Sequence, residues 1–156
     1  MTPAILAARK AGVVHQVLQY VHNPAAASYG LEAAEALGVD PACVFKTLVA
    51  DAEGVGLVCA LVPVTCTLDL KALADAVGAR KARMADVAAA ERATGYVVGG
   101  ISPLGQRRQL ITVIDESVLG IELVHVSAGR RGVELALAPV DLLRLTRART
   151  GAIARE

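Results

Sequence analysis

One lysine lies in the middle of an otherwise apolar stretch that runs from residue 44 to residue 50. The stretch predicts a strand, in which alternation would place Lys46 on one face with Val44, Leu48 and Ala50. Neither face resembles a solvent face, so the ammonium needs either a path to water or an anion. Two hypotheses follow from this stretch alone: Lys46 binds an anionic ligand, or it protects a sheet edge from aggregation.

Two glycine-bearing loops have the composition to hold such a ligand. In the first, residues 99–105 read GGISPLG, and paired glycines let a backbone approach a ligand and offer free N–H groups to an oxygen. In the second, residues 127–132 read SAGRRG, and Glu134 follows two residues later. Its hydroxyl and arginines suit an oxyanion or the end of a nucleic acid. Either segment could also be an ordinary loop, and Arg130 and Arg131 a solvated turn.

Aromatic residues are few, and each lies near the end of a predicted element. The chain has three tyrosines and one phenylalanine, which are Tyr20, Tyr29, Tyr96 and Phe45, and it has no tryptophan. If these side chains converge, they form a stacking pocket suited to a base or a ribose. Four core aromatics near loop ends would give the same pattern.

Familiar catalytic signatures do not occur in the sequence. GxSxG, P-loop, GxGxxG and HExxH patterns are missing, and the histidines, His15, His22 and His125, are scattered. The cysteines, Cys43, Cys59 and Cys66, have no CxxC spacing, so neither a disulfide nor structural zinc is predicted. We predict no metal and no cofactor. An enzyme built this way would work by positioning and polarising its substrate.

The elements that must position these residues alternate between helices and paired strands. The patterns predict helices at 3–11, 31–37, 70–77 and 86–92 and a C-terminal helix from Pro139 with Arg144, Arg147 and Arg149 facing outward. They predict strands at 13–21, 44–50, 55–62, 110–114, 121–126 and 133–138, and a basic run at 80–83. Neighbouring pairs of strands favour an α+β fold with a curved mixed sheet and surrounding helices.

Length, composition and charge limit the number of domains and the kinds of partner that the chain can have. With 156 residues, 54% of them apolar, residues 1–156 are expected to form one domain with a single core. No apolar run is long enough to span a membrane, and we expect a cytoplasmic protein. Lysine and arginine number 16 against 15 acidic residues, which excludes a broad phosphate-neutralising surface but allows a local basic patch.

Several segments together resemble the YbaK/EbsC family, and the likeness is greatest to its Cys-tRNA(Pro) deacylases. They are the N-terminal MTPA, VFKTL around Lys46, LDLK at 68–71, TGYVVGGISPLGQ at 94–106 and VSAGRRG at 126–132. The GGISPLGQ stretch is highly specific. These deacylases are free-standing relatives of the editing domain of prolyl-tRNA synthetase. The resemblance implies a mixed sheet curled into an open barrel with surrounding helices.

The resemblance also implies an activity and a site. The activity is hydrolysis of the ester joining cysteine to tRNA(Pro), with the acceptor end of the aminoacyl-tRNA and prolyl-tRNA synthetase as partners. Lys46, with Gly99 and Gly100, would be catalytic. The predicted substrate-binding set comprises Tyr20, Tyr29, Thr47, Ile101, Ser102, Ser127, Gly129 and Glu134. Close relatives have Phe where this chain has Tyr29 and Asp where it has Glu134, so the role of Glu134 is open.

Proposals for the family let the thiol of the substrate attack its own ester, which would explain why the chain lacks an evident nucleophile. Two other functions remain open. One is deacylation of Ala-tRNA(Pro), and the other is a non-catalytic module that binds an amino acid or a nucleotide.

Overall fold

Five helices and ten strands make up the computed structural model, which describes residues 1–26 and 28–156. The helices are α1 (Pro3–Ala11), α2 (Tyr29–Leu37), α3 (Leu70–Val77), α4 (Val87–Thr94) and α5 (Pro139–Thr146). The strands are β1 (His15–Gln19), β2 (Phe45–Ala52), β3 (Gly56–Pro63), β4 (Thr67–Leu68), β5 (Ala82–Met84), β6 (Ile111–Asp115), β7 (Val124–Arg130), β8 (Val133–Leu137), β9 (Arg149–Gly151) and β10 (Ala154–Arg155). The predicted mixed α+β architecture with surrounding helices is confirmed.

The strands form three hydrogen-bonded sheets. The largest has the order β5-β2-β3-β6-β9, in which β3, β6 and β9 are parallel neighbours and the other pairs are antiparallel. A second, antiparallel sheet has the order β1-β8-β7, and β10 pairs with β4 in a third. The two larger sheets meet at Val44, just before β2, which forms an isolated bridge with His125 of β7. This junction brings the start of β2 next to β7 and β8.

Alternation along β2 and β3 places their side chains in two of the three hydrophobic clusters of the core. Phe45, Val49, Cys59 and Leu61 face the three-stranded sheet, where they are buried with Val126, Leu135 and Leu137. Ala50, Val58, Ala60 and Val62 face the other way and pack with Leu73 of α3 and with Ile153. Both faces of β2 are therefore covered, as its sequence predicts.

Side-chain caps fix where the helices begin. Thr2 accepts a hydrogen bond from the Ile5 N–H, Ser28 from the Leu31 N–H and Asp69 from the Ala72 N–H. The cap at Ser28 matters most for function, because it fixes the start of α2 and therefore the place of Tyr29, the first helical residue.

The structure differs from the sequence-based prediction in several segments. The strand predicted at 121–126 begins at Val124 and continues to Arg130, so most of the second glycine-bearing segment is the end of β7 rather than a loop. Part of the expected basic run is strand β5, which pairs with β2 at Ala50–Ala52. The C-terminal helix ends at Thr146, because Arg147 adopts a left-handed conformation with φ of 55°. Arg149 consequently lies in β9 rather than on the helix. Within the described ranges, no helix is both long enough and apolar enough to cross a membrane.

Candidate functional site

A cavity of about 490 Å³ opens beside the first half of β2. Strand β5 pairs with β2 only at Ala50–Ala52, so the preceding residues leave one edge of β2 to the cavity. Residues from both faces of β2 can therefore reach the same space, and every residue from Val44 to Val49 lines it. The volume lies within the usual range for a small-molecule site.

Eight of the eleven residues predicted for the site line this cavity. They come from six segments of the chain: Tyr20, Tyr29, Lys46, Thr47, Gly99, Ile101, Ser127 and Glu134. Lys46 therefore shares one cavity with residues of both glycine-bearing loops. Within the described ranges, Lys46 forms no salt bridge and no side-chain hydrogen bond.

The other three predicted residues lie outside the lining. The N–H of Gly100 donates to the Val97 carbonyl at 2.8 Å, so it is not free to bind a ligand. Ser102 is fully buried, and its hydroxyl accepts a hydrogen bond from the Leu104 N–H. Gly129 lies against the ring of Tyr96. Sequence proximity to the glycine loops made these residues candidates, but the backbone turns them toward the protein interior.

Glu134 is the acidic group of the cavity. It lies on β8, directly opposite Ser127 of β7, and only 7% of its surface is exposed. Burial raises the pKa of the Glu134 carboxyl from 4.5 to about 8, because the surroundings disfavour its charged form. At neutral pH the carboxyl is therefore mostly protonated and can donate a hydrogen bond.

Tyr20 responds to the same surroundings. Burial raises the pKa of its phenol, the nearby Glu134 carboxyl raises it further, and a hydrogen bond with the Gly132 backbone opposes both effects. Tyr20 thus remains a neutral hydroxyl in the cavity wall.

Thr47 brings an unsatisfied polar group to the wall of the cavity. Its Oγ1 is buried and has no hydrogen-bond partner among the described residues. A buried hydroxyl without a partner lowers stability, and such groups in native proteins frequently mark functional sites. The Oγ1 of Thr47 is therefore a candidate ligand contact.

The mouth of the cavity is built around Tyr29. Gly30 lets α2 approach the end of β3, because a Cβ at position 30 would lie only 2.2 Å from Cγ1 of Val64. The ring of Tyr29 lies under the guanidinium of Arg131, with 4.3 Å between Cζ and the ring centroid. Gly99 packs against both side chains.

Three of the four aromatic residues converge on the cavity, and the fourth does not. Tyr20, Tyr29 and Phe45 line the cavity. Tyr96 instead belongs to the core, where its hydroxyl donates to the Leu104 carbonyl at 2.7 Å and burial raises the pKa of its phenol to about 12. This tyrosine holds the 96–105 loop in place from within.

Gln106 anchors the end of the same loop to the core. Its Nε2 donates to the Ser102 carbonyl at 3.1 Å and to Sγ of Cys59 at 3.2 Å, while its Oε1 accepts from the Leu110 N–H. Since Cys59 lies on β3, the loop is tied directly to the central strand of the largest sheet.

One wall of the cavity was not predicted from the sequence. It consists of Met84 at the end of β5, Ala85 just after it, and Val87 and Ala90 on α4. These residues follow a basic run and show no periodicity that singles them out. The only local signal is the change from charged to apolar residues at Met84.

The described lining contains neither a cysteine nor a histidine, so the hydroxyls of Ser28, Thr47 and Ser127 have no histidine base beside them in the cavity. Cys59 is completely buried, and burial raises the pKa of its thiol to about 11. The described residues also contain no group of three His, Cys, Asp or Glu side chains that could hold a metal ion. The cavity can position, hydrogen-bond and polarise a ligand, and its described lining includes the cationic side chains of Lys46, Arg130 and Arg131.

Comparison with known proteins gives a consistent family assignment. A family model described as an aminoacyl-tRNA editing domain matches residues 23–145. A protein of Enterococcus faecalis, provisionally named the Cys-tRNA(Pro)/Cys-tRNA(Cys) deacylase EbsC, is 42% identical over 113 residues, which cover 72% of this chain and 69% of that protein.

Solved structures agree with this assignment. A crystal structure provisionally described as a trans-editing enzyme for prolyl-tRNA synthetase matches with a TM-score of 0.81 and 28% identity, covering 100% of this chain and 99% of that chain. A hypothetical protein shares the fold with a TM-score of 0.87 at 23% identity, covering 98% and 99% of the two chains. The chain therefore belongs to the aminoacyl-tRNA editing domain family and is an aminoacyl-tRNA deacylase.

Proposed function

We propose that this chain removes cysteine from mischarged Cys-tRNA(Pro) after the synthetase has released it. The observation that carries the proposal is the cavity itself, which unites Lys46, Gly99, Ser127 and Glu134 but has no cysteine or histidine in its described lining. A cavity without an activated nucleophile suits a substrate that supplies its own. The relative EbsC, which is named for this activity, adds support.

In the proposed mechanism the thiol of the bound cysteine attacks the carbonyl carbon of its own ester. A sulfur–carbon bond forms, the bond between that carbon and the ribose oxygen breaks, and the thiol proton passes to the departing oxygen. The product is a small cyclic thioester, which water then opens. The protein needs only to hold the bent substrate and stabilise the developing oxyanion.

Each group of the cavity has a role in this proposal. Lys46 holds the terminal phosphate or ribose, or supports the proton transfer. The backbone at Gly99 and Ile101 faces the carbonyl, since no hydrogen-bond partner is found for either N–H within the described part of the chain. Thr47 and the protonated Glu134 hydrogen-bond the aminoacyl group, while Tyr20 and Tyr29 shape the pocket.

A panel of charged tRNAs tests this chemistry. Cys-, Ser- and Ala-tRNA(Pro) are each mixed with excess protein, and release of the labelled amino acid is followed in single turnovers. We expect rapid release of cysteine and background rates for serine, which has nearly the same size but no thiol. Pocket size alone separates such side chains by only about 10–200-fold. Equal rates on Cys- and Ser-tRNA(Pro) would contradict thiol assistance.

The second candidate substrate is Ala-tRNA(Pro), because much of the cavity wall is apolar and would accept a methyl side chain. Val44, Leu48, Val49 and Ile101 contribute to this wall. The same panel separates the candidates, since an alanine ester has no internal nucleophile. Faster release of alanine than of cysteine would replace the first proposal by the second.

We further propose that prolyl-tRNA synthetase presents the tRNA to this protein. Two cations that could hold an acceptor stem are engaged with carboxylates: Arg83 lies 3.6 Å from Asp51, and Lys81 lies 3.8 Å from Glu53. The chain also has a net charge of only +1. Weak binding of isolated tRNA(Pro), strengthened when the synthetase is added, is the expected result in a filter-binding titration. Tight and tRNA-specific binding by the protein alone would contradict the need for a partner.

A further inference from the structure

We propose that Arg131 is a positioning residue for deacylation, which fixes Tyr29 and the Gly99 backbone in one arrangement at the mouth of the cavity. This inference rests on the proposed function for its catalytic readout. Its structural part, the coupling of Arg131 to Tyr29, can be tested independently of any substrate.

The first contact joins Arg131 to the start of α2. Its guanidinium carbon lies 4.3 Å from the centroid of the Tyr29 ring, well within the range of cation–π attraction. The ring of His22 lies 5.6 Å from that of Tyr29 at an angle of 54°. His22 in turn pairs with the Glu32 carboxylate at 2.8 Å. The Tyr29 ring thus lies close to both the Arg131 guanidinium and the His22 ring.

The second contact joins Arg131 to the first glycine loop. Its Nη2 donates a hydrogen bond to the Val98 carbonyl at 2.6 Å. A Cβ at position 99 would lie 2.6 Å from Nε of Arg131 and 2.7 Å from Cε2 of Tyr29. Gly99 therefore lies directly against the stacked pair, and only glycine leaves room for it.

Through these contacts, the side chain of Arg131 joins three segments that are distant in the sequence. The segments are the start of α2, the loop at Val98–Gly99 and the turn between β7 and β8, and all of them line the cavity. Arg131 itself is exposed, so its removal should leave the hydrophobic core intact. A displacement of about 1 Å at a reacting group can lower a rate by about 10²-fold, so a small movement of the cavity mouth would be enough to slow deacylation.

The alternative is that Arg131 binds a tRNA phosphate directly and has no positioning role. The two roles predict different behaviour of Arg131→Lys. A phosphate contact is largely satisfied by any cation, whereas stacking on a ring while donating to a carbonyl requires the planar guanidinium.

The test combines kinetics with a spectroscopic readout. The chain has only three tyrosines, Tyr20, Tyr29 and Tyr96, so fluorotyrosine labelling gives three fluorine NMR signals that substitution of each tyrosine assigns. We compare Arg131→Lys and Arg131→Gln with wild type. Arg144→Gln is the matched control, because Arg144 is an exposed arginine that pairs with Asp141 on α5.

Both Arg131 variants are expected to shift the Tyr29 signal and leave the Tyr96 signal in place. They should lower kcat on Cys-tRNA(Pro) at least about tenfold, and lysine should not restore it. Arg144→Gln should behave as wild type in both assays. If wild type released no cysteine at all, the proposed function would fail, but the fluorine signals would still report whether Arg131 fixes Tyr29.

Two results would overturn the inference. One is an unchanged Tyr29 signal in Arg131→Gln. The other is an increase in KM alone that Arg131→Lys reverses and that grows with salt, since this would identify a direct phosphate contact.

Discussion

Lys46 on β2 and Glu134 on β8 line the same cavity without forming a salt bridge. The two side chains come from different sheets, which meet at the bridge between Val44 and His125. Since burial keeps the carboxyl mostly neutral at pH 7, the lysine is not neutralised by it. The cavity thus keeps its positive charge for a ligand.

The raised pKa of Glu134 predicts a pH-dependent loss of stability. Its carboxyl titrates near 4.5 when the chain is unfolded and near 8 when it is folded. As the pH rises above 4.5, the unfolded chain gains the more stable charged form while the folded protein stays protonated. The free energy of unfolding therefore falls as the pH rises from 4.5 to about 8. Above about pH 8 the Glu134 carboxyl is charged in both states and causes no further decrease.

Glu134→Gln should remove this dependence, because the amide is neutral at every pH. We expect equal stabilities near pH 4, and a variant more stable than wild type by roughly 3 kcal/mol at pH 7. Denaturant unfolding across this range measures the difference, with Glu122→Gln as an exposed control. A difference that stays constant from pH 4 to pH 8 would contradict the assignment.

Thr47→Val tests whether the unpaired hydroxyl serves a ligand. Removing a buried hydroxyl without a partner should not lower the melting temperature. If the substrate normally satisfies this hydroxyl, kcat/KM should fall about five- to tenfold, which corresponds to one hydrogen bond.

Thr112→Val is the matched control for this variant. The Thr112 hydroxyl donates to the Leu110 carbonyl at 2.9 Å and lies outside the cavity lining. The control should lose stability and keep its activity per folded molecule. Full activity in Thr47→Val, combined with a loss of stability like that of the control, would assign Thr47 to the fold alone.

Gly99→Ala tests how closely the mouth of the cavity is packed. Gly99 has φ of 93°, and a Cβ there would meet Arg131 and Tyr29. Gly12→Ala is its control, because Gly12 has φ of 71° but a Cβ there would have no neighbouring atom within 4 Å. Both variants carry the cost of a left-handed alanine, about 1–2 kcal/mol.

Only Gly99→Ala should also lower deacylation, because the added methyl displaces Tyr29 or Arg131. We expect at least about a tenfold fall in kcat/KM for Gly99→Ala and an unchanged value for Gly12→Ala. Comparable activities in the two variants would show that the packing at the mouth does not affect the reaction.

Local sequence predicts those parts of the site that carry a local signal. Lys46 stands out because a charge interrupts an apolar strand, and the helix predicted at 31–37 is present as α2, which begins two residues earlier at Tyr29. The wall at Met84 and Ala85 carries no such signal. Strand β5 has three residues and exists because β2, about thirty residues earlier in the chain, pairs with it. Pairing over that distance leaves no periodicity in the short partner.

The loops show a second limit of sequence-based prediction. Gly99 and Ile101 line the cavity, whereas the alternate residues, Gly100 and Ser102, lie on the side of the protein interior. The composition of the loop identifies it as unusual, but it cannot assign alternate residues to the cavity or to the interior. The glycine pair also has a structural reason that the sequence hides, since Gly99 packs on Tyr29 and Gly100 on the backbone of Arg130.

The most direct test of the site is single-turnover release of cysteine from Cys-tRNA(Pro) by Lys46→Ala. Lys10→Ala is the control, because Lys10 is an exposed lysine at the end of α1. If the Lys46 cation acts on the ester end of the tRNA, Lys46→Ala should release cysteine about 10²-fold more slowly than wild type, with little change in melting temperature, while Lys10→Ala matches wild type. A wild-type rate in folded Lys46→Ala would contradict the assignment of this cavity as the deacylation site.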